Sequence, residues 1–166
     1  MKAIRKEVVN MEDKLKDKTI KLIVFDFDGV MTDNRVLINE DGKESVFVNR
    51  ADGLGVEIIK RKNIPMLILS TEKNKVVNQR GKKLGIEVIQ CVSNKKVTLE
   101  KICADRGILL ENVMYVGNDE NDFSAMSIAG IRACPADAHK LIKNIADLVL
   151  TTNGGYGVVR ELADLL

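Results

Sequence analysis

Three aspartates, Asp26, Asp28 and Asp33, follow an apolar run that ends at Phe25. A buried carboxylate is costly unless a cation or hydrogen-bond donors compensate its charge. Because side chains alternate along a strand, residues two apart point the same way, and we expect Asp26 and Asp28 to converge on one site. A magnesium ion, which prefers oxygen ligands, would compensate such a pair.

Other polar residues that suit phosphoryl chemistry follow later strands of the predicted sheet. Ser70 and Thr71 end one strand, Lys95 opens a helix after another, and an acidic loop over 117–122 follows a third. The carboxyl ends of parallel strands meet at one edge of a sheet, where ligands bind. A transferring phosphoryl group spreads charge over three oxygens, and these residue types can compensate it.

Together, these residues could carry out phosphate ester hydrolysis. One aspartate attacks phosphorus and forms an aspartyl phosphate, while the other protonates the leaving oxygen and then takes a proton from the attacking water. Magnesium, a hydroxyl and Lys95 would neutralise the phosphate oxygens. Each of these residues also has a purely structural interpretation. The aspartates could form a turn, Ser70 and Thr71 could cap a strand end, Lys95 could be a solvated residue at a helix start, and the acidic loop could be a helix N-cap.

The rest of the sequence predicts one α/β domain that positions these residues. Apolar runs of strand length alternate with helical periodicity, which is typical of a parallel sheet covered on both faces. The predicted strands cover 21–27, 64–70, 87–90, 112–116, 131–133 and 148–150, and the predicted helices cover 53–62, 73–84, 96–106, 121–129, 137–144 and 156–165. A β-hairpin with a glycine turn is predicted over 36–48. We expect a charged helix or arm over 1–19 and a single domain over 20–166, with no insertion long enough for a lid.

Composition argues against several other classes of protein. Among 166 residues, 26 are basic and 24 acidic, and tryptophan is absent, which does not favour a nucleic-acid partner. The apolar runs are too short for a membrane span, and the N-terminus lacks the apolar core of a signal peptide. Three scattered cysteines, Cys91, Cys103 and Cys134, form no metal-binding pattern and favour a reduced, cytoplasmic compartment.

The order and spacing of the motifs resemble the haloacid dehalogenase (HAD) superfamily. The resemblance covers about residues 20–166 and rests on Asp26-x-Asp28-Gly29-Val30-x-Thr32-Asp33, Ser70, Lys95 and Gly117-Asn118-Asp119-x-x-Asp122. The lack of a cap insertion is similar to the capless branch, which includes KDO 8-phosphate phosphatases, phosphatases of nine-carbon keto acid phosphates, and the C-terminal module of CMP-sialic acid synthetases. The resemblance implies a three-layer, Rossmann-like α/β fold with a mainly parallel sheet, a β-hairpin after the first strand and no cap domain.

The resemblance also implies roles for individual residues. Asp26 would be the nucleophile and a Mg²⁺ ligand, and Asp28 the acid/base and a metal ligand through its carbonyl oxygen. The phosphate would be held by Ser70, Thr71 and Lys95. Active members commonly have an aspartate where this chain has Asn118, so either Asn118 is a weaker metal ligand or Asp119 substitutes for it.

The substrate implied by the resemblance is a phosphorylated 2-keto-3-deoxy sugar acid. Glu72 makes the chain more similar to phosphatases of KDN 9-phosphate or sialic acid 9-phosphate than to those of KDO 8-phosphate. In that group such a Glu, with an Arg and a Lys like Arg80 and Lys83, contacts the sugar acid, and the basic pair often comes from a neighbouring subunit. Arg80 suits a carboxylate because guanidinium binds it bidentately. The family is usually a homotetramer, with the hairpin over 36–48 as its assembly element.

Two further interpretations compete with a phosphatase. One is a non-catalytic or weakly active oligomerisation module associated with CMP-sugar acid synthesis. The other is a phospho-acceptor receiver domain, which the hairpin and the nucleophile's place in the first strand argue against. Phosphate release from KDN 9-phosphate, sialic acid 9-phosphate and KDO 8-phosphate separates the first from a phosphatase.

Overall fold

A computed structural model of the protein describes residue 15 and residues 18–166. The prediction for residues 1–19 lies outside the described residues except at positions 15, 18 and 19. Within the described part, no helix has both the length and the apolar character needed to cross a membrane.

The strands form one large parallel sheet and a separate hairpin. They are β1 (Leu22–Phe25), β2 (Thr32–Ile38), β3 (Glu44–Val48), β4 (Met66–Leu69), β5 (Glu87–Ile89), β6 (Val113–Val116), β7 (Ile131–Cys134) and β8 (Leu148–Val149). The sheet has the order β5-β4-β1-β6-β7-β8, and Phe25 is paired with Ile68 on one side and Val116 on the other. After β1, the chain adds β4 and β5 on one side of it and then β6, β7 and β8 on the other side. Ligands bind at such a switch point, beyond the carboxyl ends of the strands.

Helices cover both faces of the sheet and complete three layers. They are α1 (Ala51–Arg61), α2 (Lys75–Leu84), α3 (Lys95–Arg106), α4 (Glu120–Met126), α5 (Lys140–Ile145) and α6 (Val158–Leu165), with a short 3₁₀ helix at Leu110–Asn112. Alternate residues of β1 point to opposite faces: Ile23 packs in a core with Val56 and Leu162, whereas Val24 packs in a second core with Leu99. The predicted three-layer fold is confirmed.

The predicted hairpin is present as β2–β3 and stands apart from the large sheet. Its strands are antiparallel, and Gly42 in its turn has φ 72°, a conformation that glycine adopts without strain. Leu37, Ile38 and Phe47 are 64%, 63% and 68% exposed, and contiguous exposed apolar side chains often mark an interaction surface. Within the described residues, no cap domain covers the sheet edge.

The predicted element boundaries differ little from those observed. Each predicted strand and helix is present, and the ends of the strands in the large sheet agree within two residues. The largest shift is in the hairpin, where β2 begins at Thr32 rather than 36. Two helices shift by less: α4 ends at Met126 rather than 129, and α5 begins at Lys140 rather than 137. His139 is the N-cap of α5, so the residues before it form a turn instead of a first helical turn.

Candidate active site

A cavity of about 280 Å³ opens beyond the carboxyl ends of β1, β4 and β6. It is lined by Asp26, Asp28, Asn34, Ser70, Thr71, Asn118, Asp119 and Asn121. The structure therefore brings together six of the predicted site residues at one sheet edge.

Asp26 and Asp28 converge, but not because both lie on a strand. Strand β1 ends at Phe25, and the Asp26 amide still pairs with the Val116 carbonyl at 2.9 Å. Residues 28–31 then form a turn in which the Met31 amide donates to the Phe27 carbonyl at 2.8 Å. This turn, rather than strand alternation, directs Asp28 back to the cavity, which corrects the physical reason given for the prediction.

A buried ionic network supports the Asp26 side chain from behind. Lys95 Nζ lies 2.8 Å from Asp26 Oδ1 and 2.7 Å from Asp122 Oδ1. Asp122 Oδ1 also accepts from the Tyr115 hydroxyl at 2.9 Å, and its Oδ2 accepts from the Asn118 amide at 3.0 Å. Asp26, Lys95 and Asp122 are 4%, 2% and 0% exposed, so water does not screen these charges.

Helix α3 places Lys95 in this network. The Asn94 side chain accepts a hydrogen bond from the Val97 amide, so the helix begins at Lys95, as expected for an asparagine N-cap. Lys95 is thereby directed inward, whereas the neighbouring Lys96 is only half-buried. Lys95, the lysine predicted from the sequence, is the one that contacts Asp26.

The charge balance of the network leaves Asp26 short of positive charge. Burial, followed by the Asp122 charge, raises the pKa of Asp26 to about 8 although Lys95 opposes the shift. Burial alone lowers the pKa of Lys95, but the Asp26 and Asp122 carboxylates raise it above its usual value, so the lysine stays charged. One ammonium thus balances two buried carboxylates. A further cation beside Asp26 would favour its carboxylate form.

The atoms around Asn118 fit such a cation. Asn118 is 8% exposed, and its Oδ1 lies 2.9 Å from the Asp28 carbonyl oxygen and 3.3 Å from Asp26 Oδ2. Octahedral Mg²⁺ with oxygens at 2.0–2.1 Å holds adjacent oxygens about 3 Å apart. In the rotated amide orientation, Nδ2 would instead donate to both oxygens. Gly29, with φ 79°, lets Asn118 approach, because a Cβ there would meet the Asn118 amide.

Asp119 contributes differently from Asn118. It is exposed at the rim of the cavity, and its side chain accepts from the Glu120 amide at 2.8 Å as the N-cap of α4. Among the described residues, no group of three His, Cys, Asp or Glu side chains is suited to a metal ion. The oxygen set that fits a cation therefore includes an amide and a backbone carbonyl.

Of the three residues predicted to hold the phosphate, Ser70 and Thr71 line the cavity after β4, whereas Lys95 does not line it and instead contacts Asp26. Ser70 is 2% exposed, and its Oγ accepts from the Glu72 amide at 3.1 Å. Thr71 is exposed at the opening. The Glu72 carboxylate accepts from the Lys73 and Asn74 amides at 2.6 and 2.9 Å, and it is near enough to Asp28 for its charge to contribute to the raised pKa of Asp28, which burial chiefly causes.

Arg80 and Lys83 do not line this cavity. Both lie on α2 and border two other cavities, of about 410 and 340 Å³. The Arg80 guanidinium donates to the Asn49 carbonyl at 2.7 Å. The two basic residues are therefore separate from the Asp26 cavity of the same chain.

Sequence reasoning assigned no individual role to four residues at the site, although Thr32 and Asn121 lie within motifs named above. Asn34 and Asn121 line the cavity, Tyr115 donates to Asp122, and Thr32 donates to Asp28. Tyr115 lies within an apolar run, which predicts a core residue, and Thr32 was part of the aspartate motif without a role of its own. Asn34 could have been predicted as a turn residue, because asparagine tolerates the positive φ of 63° that it adopts directly after the turn.

Comparison with known proteins agrees with this geometry. A family model for haloacid dehalogenase-like hydrolases matches residues 57–162. The 3-deoxy-D-manno-octulosonate (KDO) 8-phosphate phosphatase of Salmonella typhi is 37% identical over 152 residues, which are 91% of this chain and 81% of that protein.

Two solved structures extend the comparison. A Streptomyces avermitilis protein assigned to the HAD family of hydrolases is 44% identical, with a TM-score of 0.87 over 89% of this chain and 84% of that one. The KDO 8-phosphate phosphatase of Moraxella catarrhalis, in complex with magnesium ion, phosphate ion and KDO, is 31% identical, with a TM-score of 0.87 over 93% and 88%.

The fold and the site define a capless α/β phosphatase of the HAD type. The chain belongs to the haloacid dehalogenase-like hydrolases, in the branch that resembles the KDO 8-phosphate phosphatases. It is an enzyme of the hydrolase class, and the site suits a divalent metal ion.

Proposed function

We propose that the protein is a Mg²⁺-dependent phosphatase that hydrolyses a 2-keto-3-deoxy sugar acid phosphate through an aspartyl phosphate on Asp26. The observation that carries the proposal is the environment of Asp26. Asp26 is 4% exposed, lines the cavity and contacts Lys95 at 2.8 Å. The domain that carries this activity is proposed to span 20–166.

The reaction has two steps. An Asp26 oxygen attacks phosphorus, the bond from phosphorus to the sugar oxygen breaks, and Asp28 gives its proton to that oxygen. Asp28 then takes a proton from water as the water attacks phosphorus. The bond from phosphorus to Asp26 breaks, which releases inorganic phosphate and restores both aspartates.

The remaining residues favour these steps through charge and position. Burial raises the pKa of Asp28, which suits a group that must carry a proton. The Lys95 ammonium and the Ser70 hydroxyl would bind phosphate oxygens. Asp26, the Asp28 carbonyl oxygen and Asn118 would hold Mg²⁺, with Asp119 as the alternative ligand to Asn118. Bound Mg²⁺ supplies positive charge beside the phosphate.

The proposed substrates are KDN 9-phosphate and sialic acid 9-phosphate, with KDO 8-phosphate as the eight-carbon alternative. The names of the relatives support a keto sugar acid phosphate. Glu72, near the cavity, supports a nine-carbon substrate by its resemblance to that group. The proposed compartment is the cytoplasm, which is consistent with three free cysteines among the described residues.

A homotetramer that shares its active sites would complete the charge balance. The described lining of the cavity contains three aspartates and no lysine or arginine, yet the substrate carries a phosphate and a carboxylate. Arg80 and Lys83 of a neighbouring copy would supply the cations that bind the carboxylate. The exposed apolar residues of the hairpin β2–β3 would form the contact between copies.

Phosphate release tests the activity. With Mg²⁺ present, the protein should release phosphate from at least one of the three sugar acid phosphates, and Asp26→Asn should abolish release. Asp105→Asn, on the exposed side of α3, is the matched control and should retain activity. No turnover by the wild-type chain, or equal turnover by Asp26→Asn, would overturn the proposal.

Mixed oligomers test the sharing of sites. Asp26→Asn and Arg80→Ala should each be inactive on a sugar acid phosphate. If Arg80 acts in a neighbouring copy, unfolding and refolding the two variants together should restore part of the activity, because some sites would then combine an intact Asp26 with an intact Arg80. Absence of any recovery would show that each chain supplies its own basic residues.

A further inference from the structure

Thr32 connects the catalytic turn to the first strand of the hairpin. It is fully buried, and its hydroxyl makes three hydrogen bonds of 3.2 Å. Oγ1 accepts from the Gly29 and Asn34 amides and donates to Asp28 Oδ1.

These three bonds fix the direction of the hydroxyl proton. A threonine hydroxyl has one proton and two acceptor lone pairs. Both lone pairs of Thr32 accept backbone amides, so its proton points at Asp28 Oδ1. Asp28 Oδ1 is then always an acceptor, and Oδ2 is left as the oxygen that can carry a transferable proton.

The backbone around Thr32 is held tightly enough to keep this geometry. The Met31 and Thr32 amides both donate to the Phe27 carbonyl, at 2.8 and 3.2 Å. On the other side, the Gly155 amide donates to the Val30 carbonyl at 3.0 Å. A Cβ on Gly155 would meet the backbone of Thr32 and Asp33, so the glycine loop lies directly against the catalytic turn.

We propose that Thr32 is a positioning residue for the general-acid step, because its hydroxyl orients the Asp28 carboxyl so that Oδ2 delivers the proton to the leaving sugar oxygen. The inference rests on the proposed function and adds a residue to it. Asn34, whose amide shares the same hydroxyl, is kept at the cavity rim by the same contact.

Leaving-group dependence tests this role. A sugar phosphate has an alkoxide leaving group that needs a proton, whereas p-nitrophenyl phosphate has an acidic leaving group that needs little help. The measured quantity is kcat/KM with Mg²⁺ present, because it includes the departure of the leaving group but not the later hydrolysis of the aspartyl phosphate. General acid catalysis contributes about 10²–10⁴-fold.

Thr32→Val should therefore lower kcat/KM for the sugar acid phosphate by about tenfold or more, but for p-nitrophenyl phosphate by less than about threefold. Thr32→Ser, which keeps the hydroxyl, should stay close to wild type on both substrates. If Thr32→Val does not fold, Thr32→Cys replaces it, because a thiol is a weak donor and acceptor, and it should show the same selective loss in smaller measure.

An equal loss on both substrates, no loss on either, or a Thr32→Ser variant that behaves like Thr32→Val would each overturn the role of the hydroxyl. These outcomes leave wild-type turnover intact. Failure of the wild-type protein to hydrolyse either ester would instead overturn the proposed function, and this inference with it.

Discussion

Asp122→Asn should destabilise the protein more than any neighbouring acidic substitution. Asp122 is completely buried and its two oxygens accept from Lys95, Tyr115, and the Asn118 and Asp119 amides, at 2.7, 2.9, 3.0 and 3.4 Å. An asparagine must place its NH₂ group either against Lys95 and Tyr115 or against the two backbone amides. At least two buried donors would lose their acceptor.

The size of the effect follows from these contacts. A buried donor left without a partner costs about 1–3 kcal/mol, and breaking a buried ion pair costs about 3–5 kcal/mol. The terms overlap, and Lys95 keeps its contact with Asp26, so we expect a loss of about 3 kcal/mol in the free energy of unfolding. For a chain of this length, about 2–4 °C per kcal/mol corresponds to a Tm lower by about 6–12 °C.

Urea unfolding in Mg²⁺-free buffer measures this loss. The matched control is Asp119→Asn, because Asp119 is exposed and caps α4, and asparagine and aspartate are equally good N-caps. The control should stay within about 0.5 kcal/mol of wild type. If Asp122→Asn were also within about 1 kcal/mol, the network would not hold the site together as described.

Three other perturbations test separate parts of the molecule. Burial raises the pKa of Asp52 from 3.8 to about 6, so the protonated form of Asp52 stabilises the folded state at low pH, and this contribution is lost as the pH rises towards 6. The free energy of unfolding of Asp52→Asn relative to wild type should therefore rise by up to about 3 kcal/mol between pH 4 and pH 7. A difference that stays constant with pH in urea titrations would contradict this. Asn118→Asp should bind Mg²⁺ at least about tenfold more tightly by calorimetry, since a charged oxygen replaces a neutral one; unchanged affinity would indicate Asp119 as the ligand. Phe47→Asp on the hairpin should shift the mass in sedimentation towards that of a single chain, whereas Leu109→Asp, at a similarly exposed site, should not.

The sheet and its helices were largely predictable because each buried parallel strand is a continuous apolar run. Strand β4, for example, consists of four apolar residues, all of them buried. The carboxyl-end rule then predicted that Asp26, Ser70 and Asn118 would lie together, and they do.

The interactions that support the site could not be predicted from pattern alone. Tyr115 and Asp122 are only seven residues apart, but their contact depends on α4 beginning at Glu120 and turning Asp122 back beneath β6. Likewise, helical periodicity assigns Arg80 to α2 but does not determine which cavity it borders. Both facts depend on how one element crosses another, which local sequence does not encode.

The most direct test of the central claim is to isolate the phosphorylated enzyme. The protein should be mixed with Mg²⁺ and a sugar acid phosphate carrying a labelled phosphate, quenched in acid within the first turnover, and digested for peptide mapping. We predict a label that hydroxylamine removes, as expected for an acyl phosphate, and that maps to Asp26. A label on another residue, or turnover without any labelled peptide, would contradict nucleophilic catalysis by Asp26.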